Sequence, residues 1–257
     1  MLTLFLIGLA IAAVYFAVVW AISVKVHNYG FLDVAWSYGI AVLAPLFAIF
    51  SPGQPARKWL LTMIGVAWSL RLGTYILRRV LHHHPREDAR YQTLRQRWPG
   101  TGMFLAFFEV QAVMAAIFAS PFLVVSFDTG PTLHPLTLAG VALAFLSLCG
   151  ESIADLQMAR FKSNPDNAGK VCEVGLWQYS RHPNYFFESL IWWAFFLAAL
   201  PSPHGWTTIV CPLLMLYFLF QVTGIPLTEE YSLKSKGDLY RAYQRSTSPF
   251  IPWFRKT

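Results

Sequence analysis

Seven apolar runs of about 20 residues, the length that carries a helix across the hydrocarbon core of a bilayer, restrict this chain to a polytopic membrane fold. They lie near Leu2–Ser23, Phe31–Phe50, Lys58–Leu77, Met103–Phe127, Pro135–Asp155, Tyr185–Leu200 and Trp206–Ile225. Turn residues separate them at Asn28–Gly30, Ser51–Pro55, Pro99–Gly102, Thr129–Pro131 and Pro201–Gly205. Only 13% of the 257 residues are charged, against about 25% in a soluble domain, which leaves too little charge to cover a water-facing surface. The first run lacks a basic leader and a small-residue cleavage site, so it reads as a retained helix rather than a signal peptide. The expected fold is all-α, a single transmembrane domain over residues 1–257.

Charge sets the expected orientation. Lys25 follows the first run, and Arg78, Arg79, Arg86, Arg90, Arg95 and Arg97 follow the third. Arg160, Lys162, Lys170 and Arg181 follow the fifth, and a basic tail follows the seventh. The intervening loops are nearly uncharged, apart from Arg57 and Lys58. The positive-inside rule then places the N-terminus outside and the C-terminus in the cytoplasm. The net charge of +7 is explained by these loops and forms no basic helix face, so nucleic acid is not an expected partner. Cys149, Cys172 and Cys211 have neither disulfide nor zinc spacing. His82, His83 and His84 are adjacent and point in different directions on a helix, so no metal is expected there.

Ionisable residues inside the runs are functional candidates, because each costs at least about 2.5 kcal/mol to insert. They are Asp33, Arg71, Glu109, Glu151, Asp155 and Glu188. Glu151 and Asp155 are one helical turn apart and share a face. The richest stretch is Gly175-Leu-Trp-Gln-Tyr-Ser-Arg-His-Pro-Asn-Tyr-Phe-Phe-Glu188. Pro183 biases His182 away from helix and suits a helix start, which puts Arg181 and His182 at a helix mouth that favours anions. Asn184 and Glu188 then fall on one face, suited to a polar ligand edge or to a helix cap flanked by the anchors Trp177, Tyr179 and Tyr185. In the tail, Glu229, Glu230, Tyr240 and Tyr243 are placed either to close a pocket or to line a surface helix. Phe250-Ile-Pro-Trp-Phe254 has the composition of an interfacial anchor.

Three stretches, Asn28-Tyr-Gly-Phe-Leu-Asp-Val-Ala-Trp36, Arg86-Glu-Asp-Ala-Arg-Tyr91 and Gly175 to Glu188, resemble bacterial membrane proteins of unassigned substrate (DUF1295) that are grouped with steroid 5-alpha-reductases. Asp155 with Arg160-Phe-Lys162, and the tail from Gly224 to Pro252, extend the resemblance over most of the chain. The Arg181-His-Pro-Asn-Tyr185 motif is also similar to isoprenylcysteine carboxyl methyltransferases. The first resemblance implies an NADPH-dependent reductase of a carbon–carbon double bond, with residues 128–257 as the cofactor-binding half. It implies that Glu151, Asp155, Asn184 and Glu188 face the cofactor, and that some of Arg160, Lys162, Arg181 and His182 meet its phosphates. Tyr179, Tyr185, Glu229, Glu230 and Tyr240 complete the expected cofactor site. Tyr38 and Tyr75 are hydroxyl candidates for polarising the substrate, with Asp33 and Arg71 orienting one of them. The chain departs from steroid reductases at Glu151, where they carry asparagine, and lacks their adjacent Gln-Glu pair in the first three spans. The second resemblance implies an S-adenosylmethionine-dependent methyltransferase, and a non-catalytic lipid-binding protein is the third reading. The expected setting is a bacterial inner membrane, with a monomer taking an apolar substrate from the surrounding lipid.

Overall fold

The computed structural model describes residues 1–98, 100–130 and 134–255. The expected turn residues Pro99 and Pro131 lie outside them. Eleven α-helices are present among the described residues: α1 (Leu2–Lys25), α2 (Phe31–Ile49), α3 (Pro55–His83), α4 (Ala89–Arg97), α5 (Thr101–Phe118), α6 (Ser120–Ser126), α7 (Pro135–Ser163), α8 (Pro183–Ala199), α9 (Val210–Tyr217), α10 (Ile225–Lys236) and α11 (Asp238–Ser246). There is no strand among them, only an isolated bridge between Ser180 and Ser248. The all-α expectation therefore holds.

Six helical tracts are long and apolar enough to cross a membrane: Leu2–Lys25, Phe31–Ile49, Pro55–His83, Thr101–Ser126, Pro135–Ser163 and Gly205–Lys236. They make this a multi-pass membrane protein. The sixth expected run appears as α8, whose 17 residues span about 26 Å at 1.5 Å per residue, short of a core about 30 Å thick. Two tracts are not continuous α-helix. Thr101–Ser126 is interrupted at Ala119, just before Pro121, which has no N–H to give the preceding turn. Gly205–Lys236 passes from α9 through a π-helical turn at Phe218–Val222 before α10 begins with Pro226 in its first turn.

The chain divides into two compact units, residues 1–134 with 199–208, and residues 135–198 with 209–257. In the first, α2 packs against α1, α3, α5 and α6. Its core is aromatic, with Phe16, Tyr29, Phe47, Trp68, Phe104 and Phe122 fully buried. The connection from α2 to α3 is fastened to the end of α6: the Gly53 amide donates to Ser126 O (2.8 Å) and the Gln54 amide to Asp128 O (2.8 Å). Arg57 and Asp128 form a buried ion pair beside this seam, and Lys58 Nζ donates to Ser51 O at 2.6 Å.

In the second unit, α7 and α8 come into backbone contact. A Cβ added at Gly140 would lie 2.6 Å from both Ala194 O and Ala198 N, so only glycine permits this spacing. Thr137 Oγ1 donates to Ala198 O at the same contact (3.1 Å). That approach fixes α7 against α8 and sets the spacing of the polar residues further along the pair.

Candidate functional site

Pro183 opens α8 as its position requires, and residues 179–181 ahead of it are held by the C-terminal segment. The Arg181 amide donates to Ser248 O (2.8 Å) and the Trp253 amide to Tyr179 O (2.9 Å). Ser180 Oγ donates to Phe250 O (2.7 Å). Tyr243 donates from its hydroxyl to the carbonyls of Trp177 and Ser180. This framework fixes where Arg181 and His182 emerge.

Arg181 reaches into its own chain. Its Nε donates to Glu229 Oε1 at 2.6 Å, and its Nη1 to the carbonyls of Gln244 (3.0 Å) and Thr247 (2.7 Å). His182 Nε2 lies 3.3 Å from the same Glu229 oxygen, and Gln244 Nε2 donates to the other (2.8 Å). Glu229 is thus the acceptor on which α8, α10 and α11 meet. Tyr240, buried nearby, has its hydroxyl pushed up to about 12 by burial and by the charge of Glu229. His182 stacks on Tyr185 with the rings 5° from parallel, and the Tyr185 hydroxyl meets Thr228 Oγ1 at 3.2 Å.

A second group lies between α7 and α8. Asn184 Nδ2 approaches Asp155 Oδ1 at 3.4 Å, a long contact at the limit of a hydrogen bond. Glu151, one turn before Asp155, and Glu188, one turn after Asn184, are both buried. Glu188 accepts from Trp192 Nε1 at 3.2 Å. Three buried carboxylates and a half-buried amide therefore lie in this unit, on two facing helices.

The structure brings together Arg181, His182, Glu229, Tyr185 and Tyr240 as one cluster, and Asp155 and Asn184 as a pair. Glu230 turns away: it is exposed and pairs with Lys234 on the next turn of α10. Arg160 and Lys162 are exposed at the end of α7, and Tyr179 is partly exposed with its ring against Phe254. Gln244 was absent from the sequence-based site. No motif marks it, and only the return of α11 makes it a partner of Glu229.

In the first unit, Tyr38 shares a hydrogen bond with Thr74 (3.0 Å). Arg71 and Tyr75 are one turn apart on α3, Arg71 half-buried and Tyr75 somewhat more exposed. Asp33 departs from expectation. Its Oδ2 accepts from Arg90 Nη2 and its Oδ1 from the Tyr91 hydroxyl, both at 2.7 Å, so the expected partnership with Arg71 gives way to one with α4. Burial, then the charge of Asp33, push the Tyr91 hydroxyl far above its usual range and keep it a donor. Asp88 caps α4 and grips Arg90. Burial alone would raise its carboxyl, but its bonds to Arg90 and that residue's charge hold it below the ordinary range. Glu87 accepts from the Tyr29 amide (2.6 Å) and from Arg95 (2.9 Å), whose guanidinium lies 4.5 Å over the Tyr29 ring. The two stretches Asn28–Trp36 and Arg86–Tyr91 are thus halves of one junction. Sequence spacing does not reveal such a junction, because about 57 residues separate its halves.

The similarity of the chain to known proteins accords with this picture and leaves the chemistry open. An uncharacterized protein of Schizosaccharomyces pombe (strain 972 / ATCC 24843) is 26% identical over 277 aligned positions, covering 96% of this chain and 79% of the relative. That relative comes from a fission yeast and not from a bacterium. No solved structure matches the chain. The model of the family described as "Protein of unknown function (DUF1295)" matches residues 19–247, and the chain belongs to that family.

Proposed function

We propose that this protein is a membrane-embedded, NADPH-dependent reductase of a carbon–carbon double bond conjugated to a carbonyl in an apolar substrate. The observation that carries this reading is the Asp155–Asn184 pair on facing helices, with Glu151 and Glu188 buried one turn further along, both on the side of the Gly140 contact. Buried carboxylates in such helices are costly and mark ligand pathways. Carboxylates accept from ribose hydroxyls and amide N–H groups, and an asparagine amide both donates and accepts. The residues present fit the polar edge of a nicotinamide nucleoside. At the phosphate end, Arg181 is engaged by Glu229 and two carbonyls, which leaves Arg160 and Lys162, exposed at the end of α7, to meet phosphates.

When bound, NADPH supplies a hydride. Asp155 and Asn184 orient its polar edge, and Glu188 is steadied by Trp192. The reading requires a hydroxyl donor to the substrate carbonyl oxygen, and the candidates the sequence offers for it are Tyr38, hydrogen-bonded to Thr74, and Tyr75, both in the first unit. Asp33 is left out of this role because α4 engages both of its oxygens. Residues 135–198 and 209–257 form the cofactor-binding half in this reading. It includes α8 as a seventh crossing, since 17 residues sit at the lower end of the spanning range of about 17–25. The C-terminus is then cytoplasmic, in a bacterial inner membrane, and a monomer takes its substrate from the lipid.

The test is cofactor retention by the detergent-purified protein, read from the reduced-nicotinamide absorbance and followed by titration with NADPH and with S-adenosylmethionine. The expected result is NADPH binding by the wild type, weakened about tenfold or more in Asn184→Ala and Glu188→Ala, as for loss of one hydrogen bond to a charged or buried group. Equal affinity in all three proteins removes these side chains from the site. Binding of S-adenosylmethionine alone replaces the reductase with a methyltransferase, and binding of neither points to a non-catalytic lipid-binding protein.

A further inference from the structure

The C-terminal strap, residues 247–255, is fixed on one side and bare on the other. Its inner side carries the bridge to Ser180, the Trp253-to-Tyr179 bond and Phe250, which is buried against Phe220 (4.9 Å) and Phe186 (5.6 Å). Its outer side exposes Ile251 (60%), Trp253 (67%) and Phe254 (77%). Pro249 and Pro252 stiffen the backbone between them. A segment held this firmly does not expose three large apolar side chains by fraying.

Charge accompanies the patch. From Tyr231 onward the sequence holds six basic residues against one acid, Asp238. Arg255 Nη2 lies 3.3 Å from Ser246 Oγ, at the end of the helix that carries Arg241 and Arg245. Arg241 and Arg245 are one turn apart and exposed. Arg255 also pairs with Glu173, which leaves Arg241, shared with the exposed Asp238, and Arg245 as the outward cations. The strap is bonded to residues 179–181, next to Trp177, whose indole donates to Ala154 O (2.9 Å) near the polar end of the membrane-spanning helix α7. Exposed aromatics beside cations at the end of a membrane helix match the chemistry of an anionic headgroup layer, in which rings enter the acyl boundary and arginines meet phosphates.

We propose that the outer face of this strap, together with the exposed face of α11, is a docking surface for anionic phospholipid headgroups of the bilayer that holds the helices. The proposal does not depend on the reductase reading. Because Arg181 holds the carbonyls of Gln244 and Thr247, lipid seated on the strap bears on the residues that position His182 and Asn184.

The experiment uses the full-length protein in nanodiscs of phosphatidylcholine alone or mixed with phosphatidylglycerol, each with and without lipid brominated high on the acyl chain. The Trp253 contribution is the emission of the wild type minus that of Trp253→Phe, a change at an exposed site. Bromolipid quenching of that contribution should be stronger in the anionic discs. In the double variant Arg241→Gln, Arg245→Gln the added quenching should fall at least about threefold, from the loss of two surface cations. Quenching that is absent, equal in the two lipid compositions, or unchanged in the double variant overturns the proposal. Retained Tyr179–Trp253 amide protection in the variants confirms that the strap itself is intact.

Discussion

Replacing Arg181 with methionine keeps the apolar stem of the side chain and removes its guanidinium, which tests whether this residue is a strut. Three hydrogen bonds are lost: one to Glu229 and one each to the carbonyls of Gln244 and Thr247. Breaking a buried ion pair costs about 3–5 kcal/mol. Glu229 is 17% exposed and keeps His182 and Gln244 as partners, so the low end applies, about 3 kcal/mol. This loss falls on the strap and the end of α11. At about 1.36 kcal/mol per tenfold, amide exchange in residues 247–255 should accelerate about a hundredfold. Hydrogen–deuterium exchange with peptide-level mass spectrometry reads this directly, with the Trp253 amide as the reporter. Arg181→Lys should fall between the two, since an ammonium keeps the charge but cannot span the carboxylate and two carbonyls together. A double-mutant cycle with Glu229→Gln should show coupling of about 1 kcal/mol or more. Exchange in Arg181→Met within about threefold of the wild type, a difference under about 0.7 kcal/mol, would refute the strut and return Arg181 to ligand binding.

Asp33→Asn should loosen α4 by about 1–2 kcal/mol through its bonds to Arg90 and Tyr91. Trypsin should then cut after Arg90 and Arg95 faster than in the wild type, and an unchanged digestion pattern would contradict the junction. Gly140→Ala forces a methyl group against the backbone of α8; overpacking of this kind costs about 1–3 kcal/mol, and unaltered thermal stability in detergent would deny the α7–α8 contact. Tyr240 titrates near 12 in the folded chain and about 10 when unfolded. Its contribution to stability is therefore complete below about pH 10 and lost between about pH 10 and 12. Thermal unfolding followed across that range should fall less steeply in Tyr240→Phe.

Hydropathy located the membrane-spanning tracts because insertion cost is summed over about 20 consecutive residues, and the starts at Leu2, Phe31 and Pro135 agree to the residue. It misplaced several ends. The third and fifth runs were expected to finish at Leu77 and Asp155, yet the helices continue to His83 and Ser163. Arg, Gln, Met and Lys are good helix formers, so a helix outlasts its apolar stretch where the chain enters water. Pro183 announced the start of α8, because an X-Pro step disfavours helix before it and suits the first turn after it. The candidate site was legible as a set of residue types in unusual places. The partners of Asp33 and Arg181 were not, since Arg90 and Glu229 are 57 and 48 residues away. Local periodicity carries no information about which distant charge arrives.

The buried Arg57–Asp128 pair has a consequence for biogenesis. Its members are 71 residues apart, so at about 5–20 residues per second of synthesis Arg57 emerges about 4–14 s before its counter-ion exists. Throughout that interval the start of α3 carries a cation without the carboxylate that meets it in the finished fold. Final seating of α3 must then await translation of the residues through Asp128, and a nascent chain stalled before that point should leave Arg57 open to water-soluble labels that the finished protein excludes.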